Sequence, residues 1–236
     1  MGLRKQVRRL VLDSTLNTRD LGGYMTVNGE VTNFGVVLRS DVPNELTEHD
    51  KTILEEYNIK TVIDLRGKTH FEQEINDFSK KEDVDFYNIP MLGGFKELEK
   101  INTNHNVNSY ETLAELHEEA LLEVFTVIAN HTEGAILINC KAGKDRTGMI
   151  SALLLMLCGV PEDDIIADYE ISYTLNRKRF EFDEKVPRTS YYLSPPKNMR
   201  NFIEYVQKTK KGPEQFLQNL GVSEKQIVSI KKLLLQ

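Results

Sequence analysis

From Cys140 to Arg146 the chain reads CKAGKDR, placing a thiol, two lysines, a glycine, a carboxylate and a guanidinium within seven positions. AILIN precedes this stretch and TGMISALLLMLC follows it. An apolar run that breaks into a short charged loop and then resumes predicts a strand, a turn and a buried helix. Such a loop aims its backbone N–H groups and the positive end of the helix dipole at one spot, which favours an anion. Cys140 opens the loop, where a helix N-terminus and cationic neighbours favour the nucleophilic thiolate. Arg146 closes it, with a planar fork suited to two non-bridging oxygens of a phosphate. Gly143 allows close approach of the backbone, and Thr147 can donate to the sulfur as it leaves an intermediate. Lys141, Ala142, Gly143, Lys144, Asp145, Arg146 and Thr147 thus form the expected phosphate cradle.

Expelling an alkoxide or phenoxide requires a proton donor, and two carboxylates qualify. Asp64 ends the strand-like IKTVID, and parallel strands present their carboxyl ends on one edge, near Cys140. Asp145 lies inside the loop itself. Asp64 with Arg66 also reads as a structural ion pair, and Arg19 with Asp20 as a brace beneath the loop. Lys141 and Lys144 read equally as solvated charge or as substrate contacts. Cys158, in a wholly apolar helix, reads as core.

The elements that must position these residues alternate strand and helix. FGVVLRS (Phe34 to Ser40), IKTVIDL, VDFYNIP (Val84 to Pro90) and AILINC read as strands. Between the first two, LTEHDKTILEEYN reads as a helix opened by a Thr47/Asp50 capping box, with Ile53, Leu54 and Tyr57 on one face. A helix from near Ser109 to Asn130 has Leu113, Leu116, Leu121, Val124, Phe125 and Ile128 as its core face. Pro161 suits a first helical position, Gly159 a helix stop, and Ser223 with Gln226 a further capping box. Continuous apolar strands suit a sheet covered on both faces. The fold class is therefore α/β, a largely parallel central sheet flanked by helices. The expected organisation is a single domain, 1–236, with a polar lid or surface excursion at about 91–108 and a mostly helical portion from about 178 to 236.

The 236 residues carry a formal net charge of -6 and a pI near 5.5, with 40% hydrophobic and 28% charged residues. A nucleic-acid partner is not expected of such a chain, since it lacks the basic footprint. MISALLLMLCGV is short of the ~18 apolar residues a membrane span needs, so no stable membrane insertion is expected. The basic start lacks the apolar segment of a secretory signal. Two cysteines form no disulfide framework, and the expected location is cytoplasmic. The five histidines show no ligand spacing, Lys144 is followed by Asp145 where a Walker loop needs Ser or Thr, and neither a metal nor a cofactor is expected. Oligomeric state is not legible.

Cys140 to Arg146 is the C-x5-R loop of cysteine-based phosphatases. The string NCKAGKDRTG resembles the bacterial atypical tyrosine phosphatase family, the protein tyrosine phosphatase B group. NTRDLGGY (Asn17 to Tyr24), VLRSD (Val37 to Asp41), VIDLR (Val62 to Arg66) and GVPEDDIIADYEIS (Gly159 to Ser172) are similar to that family's signatures, in its order. The resemblance implies a phosphocysteine mechanism on phosphoprotein or phosphoinositide substrates, with both Asp64 and Asp145 at catalytic positions. Lysines at the positions of Lys141 and Lys144 also occur in phosphoinositide phosphatases related to tensin. One departure is plain: Asn139 stands where the family has a histidine before the nucleophile.

Overall fold

AILIN carries four alanyl, isoleucyl and leucyl side chains that tolerate burial on both faces of a sheet before its terminal Asn139, and every one of its residues is buried. The computed structural model describes residues 6–91, 110–181 and 193–235. Its sheet has five strands: β1 (Arg19–Asp20), β2 (Val37–Ser40), β3 (Ile59–Asp64), β4 (Asp85–Asn88) and β5 (Ala135–Asn139). The order is β1-β2-β5-β3-β4, with β1 antiparallel to β2 and all other pairs parallel. Parallel neighbours need crossovers. They are supplied by α1 (Glu48–Glu55), by α2 (Lys68–Gln73) with a 3-10 turn at Asp77–Lys80, and by α3 (Tyr110–Glu115) with α4 (Glu118–Asn130).

The return from β4 inserts β5 between β2 and β3. Ser40 and Asp64 then both pair with Asn139. Three strand ends are level, so Asp41, Leu65 and Cys140 open side by side on one edge, the usual position of a site in such sheets. From this edge α5 (Asp145–Leu157) runs back across the sheet. Every residue from Thr147 to Leu157 is buried, as expected of a helix apolar all round. Around it stand α6 (Glu162–Glu181), α7 (Pro196–Glu204) with a π turn at Tyr205–Thr209, α8 (Pro213–Leu220) and α9 (Glu224–Leu235). Val37, Ile63, Ile136 and Ile138 face this helical layer, while Leu38, Val62 and Leu137 face Leu54 and Tyr57 on the α1 side.

Local rules act where expected. Asp50 N donates to Thr47 Oγ1 at 3.2 Å and Thr47 N to Asp50 Oδ2 at 3.2 Å, a reciprocal cap. Ser223 and Gln226 make the same exchange before α9. Gly159 follows α5 at φ +76°, a backbone setting that favours glycine. Two expectations need correction. The helix leading to Asn130 is broken over the described residues into α3 and α4, because His117 adopts φ −129°, ψ 33°, outside the helical region. Leu116 is consequently 50% exposed and not core. Pro161 sits just ahead of α6, its carbonyl accepting from Asp164 N and Ile165 N. The expected lid lies outside the described residues apart from the buried Met91. Among the described residues no helix is long and apolar enough to cross a membrane.

Leu153 is 0% exposed at the centre of α5. Leu153→Ala is expected to lower the free energy of unfolding by about 2–5 kcal/mol, read from the midpoint of a urea titration.

Candidate active site

Between β5 and α5 the chain turns through 140–144, and the carbonyls of Lys141 to Lys144 all accept from groups outside the loop. Lys141 O takes Val42 N at 3.4 Å. Ala142 O takes the side-chain amides of Asn17 at 2.9 Å and Asn176 at 3.0 Å. Gly143 O takes Asn17 Nδ2 at 3.0 Å and Arg39 Nη2 at 2.7 Å, and Lys144 O takes Arg39 Nη2 more weakly at 3.5 Å. In a planar trans peptide the N–H points opposite to the carbonyl. Tethering these oxygens outward therefore turns the N–H groups of Ala142, Gly143, Lys144 and Asp145 into the loop. Gly143 has φ +61°, and a Cβ there would lie 2.5 Å from the Ser40 carbonyl carbon. The loop rests so closely on the end of β2 that a side chain would displace it.

The tethers are themselves held by a buried cluster. Arg39, in β2, and Arg19, in β1, both pair with Asp168 of α6, Arg19 Nε standing 2.8 Å from Oδ1. Tyr24 OH donates to the same Oδ1 at 3.0 Å. Arg19 also donates to Asn17 Oδ1 at 2.5 Å and to Ser172 Oγ at 3.0 Å, and Asp41 accepts Asn17 N at 2.9 Å and Leu16 N at 3.1 Å. Burial by itself would raise the Asp168 carboxyl, but Arg19 and Arg39 hold it well below the usual carboxylate range. Two guanidiniums against one carboxylate leave net positive charge beneath the loop, where weak screening lets it act on an anion.

The residues singled out in the sequence are distributed as follows. Cys140 is 2% exposed, at the foot of the loop. Arg146 donates through Nη1 to Leu65 O and Met91 O, both at 3.2 Å, and its other two nitrogens have no partner among the described residues. Thr147 Oγ1 is buried without a hydrogen-bond partner. Asp145 Oδ1 accepts from Tyr110 OH at 2.7 Å and lies 3.5 Å from Lys144 Nζ. Lys144 is buried, its ammonium donating to Leu193 O at 2.9 Å, whereas Lys141 is exposed and 3.4 Å from Glu74. Asp64 is fully buried, with Arg66 Nε and Nη2 on its carboxylate at 2.9 and 2.7 Å. Asn76 Nδ2 bridges Asp64 Oδ2 at 3.1 Å and Asn139 Oδ1 at 3.0 Å, joining the ends of β3 and β5. Cys158 packs in the core, where burial pushes its thiol up to about 12.

Sequence reasoning gave no role to Arg39, Asp168, Asn17, Asn176 or Tyr110. A signal existed for three of them. Asp168, Ser172 and Asn176 recur at helical spacing with Ile165 and Tyr169, and all are buried. A polar stripe at core spacing marks groups that must meet partners inside. Arg39 likewise follows the apolar Val37 and Leu38 in a strand that is buried throughout. Which groups they meet is a tertiary fact.

Asp168→Asn leaves Arg19 and Arg39 buried without a counter-charge, and is expected to cost about 3–5 kcal/mol at neutral pH. A carboxyl depressed by folding stabilises above its unfolded value, about pH 4, and that contribution is lost as pH falls toward the folded value. The gap between native chain and variant should therefore narrow below about pH 4 in urea titrations run at successive pH values. A constant gap would assign the cost to packing.

A family model described as "Tyrosine phosphatase family" matches residues 10–236. The chain is 29% identical over 204 residues to a "Tyrosine-protein phosphatase" of Nostoc commune, covering 79% of this chain and 69% of that protein. It is 27% identical over 186 residues to a "Putative tyrosine-protein phosphatase" of Cupriavidus necator, covering 74% and 66% respectively. Among solved structures it is similar to P. aeruginosa TpbA in complex with pTyr, at 13% identity and a TM-score of 0.43, over 93% of this chain and 99% of that one. With the family model matched over nearly the whole sequence, the chain belongs to the tyrosine phosphatase family, a family of phosphatase enzymes.

Proposed function

We propose that the protein hydrolyses phosphate monoesters, phosphotyrosine foremost, through a phosphocysteine intermediate. The observation that carries this reading is the outward tethering of the Lys141–Lys144 carbonyls, which turns four N–H groups inward between Cys140 and Arg146. Cys140 Sγ attacks phosphorus opposite the leaving oxygen. The S–P bond forms as the P–O bond breaks, and the electron pair goes to the leaving oxygen, which takes a proton from Asp145. Charge spread over the equatorial oxygens meets the loop N–H groups and Arg146 Nε and Nη2, which have no partner among the described residues, donors fixed before the reaction begins. Water then attacks phosphorus and gives its proton to the Asp145 carboxylate. Orthophosphate departs, and the sulfur leaves as thiolate toward the Thr147 hydroxyl, a buried donor otherwise without an acceptor.

Of the two carboxylates, Asp145 fits the acid role better. Asp64 has Arg66 on both oxygens and Asn76 on one, so its proton-donating capacity is spent on an ion pair that fixes the strand end. Asp145 lies in the loop, 15% exposed at its side chain. Phosphoserine, phosphothreonine and phosphoinositide belong to the same proposal as further substrates. Lys141, exposed on the loop, supplies charge for a second phosphate, whereas Lys144 is turned to the Leu193 carbonyl.

Phosphate release from para-nitrophenyl phosphate, phosphotyrosine and phosphoserine peptides, and phosphoinositide vesicles tests the reading. Cys140→Ser should abolish all release. Asp145→Asn should lower kcat on the phosphotyrosine peptide by about 10²–10⁴. Asp64→Asn should chiefly destabilise the fold by stranding Arg66, by about 3–5 kcal/mol. Turnover by folded Cys140→Ser, or none by the native chain on any substrate, sinks the mechanism.

A further inference from the structure

Tyr110 is the first residue of α3 and is 1% exposed. Its ring meets Tyr169 edge-on, centroids 5.7 Å apart at 87°, and Phe202 at 6.2 Å. Wedged between these rings, the phenol has little rotational freedom, and its hydroxyl lies 2.7 Å from Asp145 Oδ1 and 2.7 Å from the Tyr169 hydroxyl. A phenol has one proton to give. The carboxylate is the stronger acceptor, so Tyr110 donates to Asp145, and the Tyr169 proton must then fill the Tyr110 oxygen. The Asn198 side chain bonds to Tyr169 in turn. The chain of donors Asn198, Tyr169, Tyr110 crosses from α7 through α6 and α3 and ends on α5, at the only carboxylate within the loop.

We propose that Tyr110 is a positioning residue for proton delivery, occupying Asp145 Oδ1 so that Oδ2 carries the proton to the leaving-group oxygen. No described residue donates to Oδ2. As the proton departs, the hydrogen bond from Tyr110 strengthens, because its acceptor gains charge. Burial, Asp145 and Tyr169 push the Tyr110 hydroxyl well above its usual range, so it stays a donor at every assay pH. Two buried phenols thus share a proton chain that terminates in the loop at Asp145. Two apolar rings would fill the space between α3, α6 and α7 without the cost of buried hydroxyls.

The inference rests on Asp145 being the general acid, and the test separates the two ideas. An acid matters more as the leaving group becomes poorer. The ratio of kcat/KM for p-nitrophenyl phosphate to that for phenyl phosphate therefore reports proton delivery, while a general structural defect lowers both rates together. Tyr110→Phe keeps the rings and removes the donor. It should raise this ratio by about tenfold, the worth of one hydrogen bond to a charged group, and add nothing to Asp145→Asn in the double variant. Tyr169→Phe, which retains Tyr110, should raise the ratio in the same direction by a smaller factor and serves if Tyr110→Phe does not fold. An Asp145→Asn enzyme with an unchanged ratio overturns the assignment of the acid. A raised ratio in Asp145→Asn with an unchanged one in the folded tyrosine variants overturns the role of Tyr110 alone.

Discussion

Asp168 lies between Arg19 and Arg39 in a region closed to water, and the loop above it is held through the nitrogens that this carboxylate orients. Burying three charges is expensive, and it is sustained only when geometry is good and the remaining donors find acceptors. Here several of the remaining donors lead to the loop, although Arg39 Nε is buried with no partner among the described residues. Arg39 reaches the carbonyl of Gly143, and Arg19 fixes Asn17, whose amide holds the carbonyls of Ala142 and Gly143. The ion cluster and the 140–144 loop are one hydrogen-bonded unit, and the orientation of the loop amides is built into the fold. That is the arrangement in which backbone dipoles lower a barrier without first being reorganised.

Asp64 and Asp145 show how surroundings set identical groups apart. Asp64, itself fully buried, ends β3 beside Arg66, with Asn76 tying it to the end of β5, so its negative charge is matched and held in place. Asp145 begins α5 beside a lysine and a phenol, at the rim of the loop. One carboxylate stiffens the strand end on which Cys140 depends, and the other is left a free oxygen. Asn139 joins the β3–β5 junction through its amide oxygen, which accepts from Asn76, while its Nδ2 is buried with no partner among the described residues.

Buried charge is not confined to the loop support. Asp20 accepts N–H bonds from Gly22 at 2.8 Å and Gly35 at 2.7 Å, yet burial pushes its carboxyl up to about 7 against those two donors. It anchors the turn that leads into β2, the strand bearing Arg39. In β2 itself the apolar Val37 and Leu38 give way to Arg39 and Ser40, the polar pair at the end nearest the loop.

The sequence by itself determined the class of chemistry and the kind of frame. Cys140, Gly143 and Arg146 are local in the chain, and a loop of that spacing between an apolar strand and an apolar helix has few conformations open to it. Capping at Thr47 and Ser223, the glycine stop after α5 and the buried strands follow from equally local rules. The break at His117 and the exposure of Leu116 did not, because helical periodicity continues through a residue whose backbone leaves the helix. Only the tertiary structure decided how Arg19, Arg39 and Asp168 combine, since they lie 149 and 129 positions apart and no local pattern pairs them. It also tied Asp64 to Asn76 and brought Tyr110 to Asp145 from 35 positions away. Hydrogen-bond partners are chosen by which strand ends and helix faces meet, and that is a property of the folded sheet.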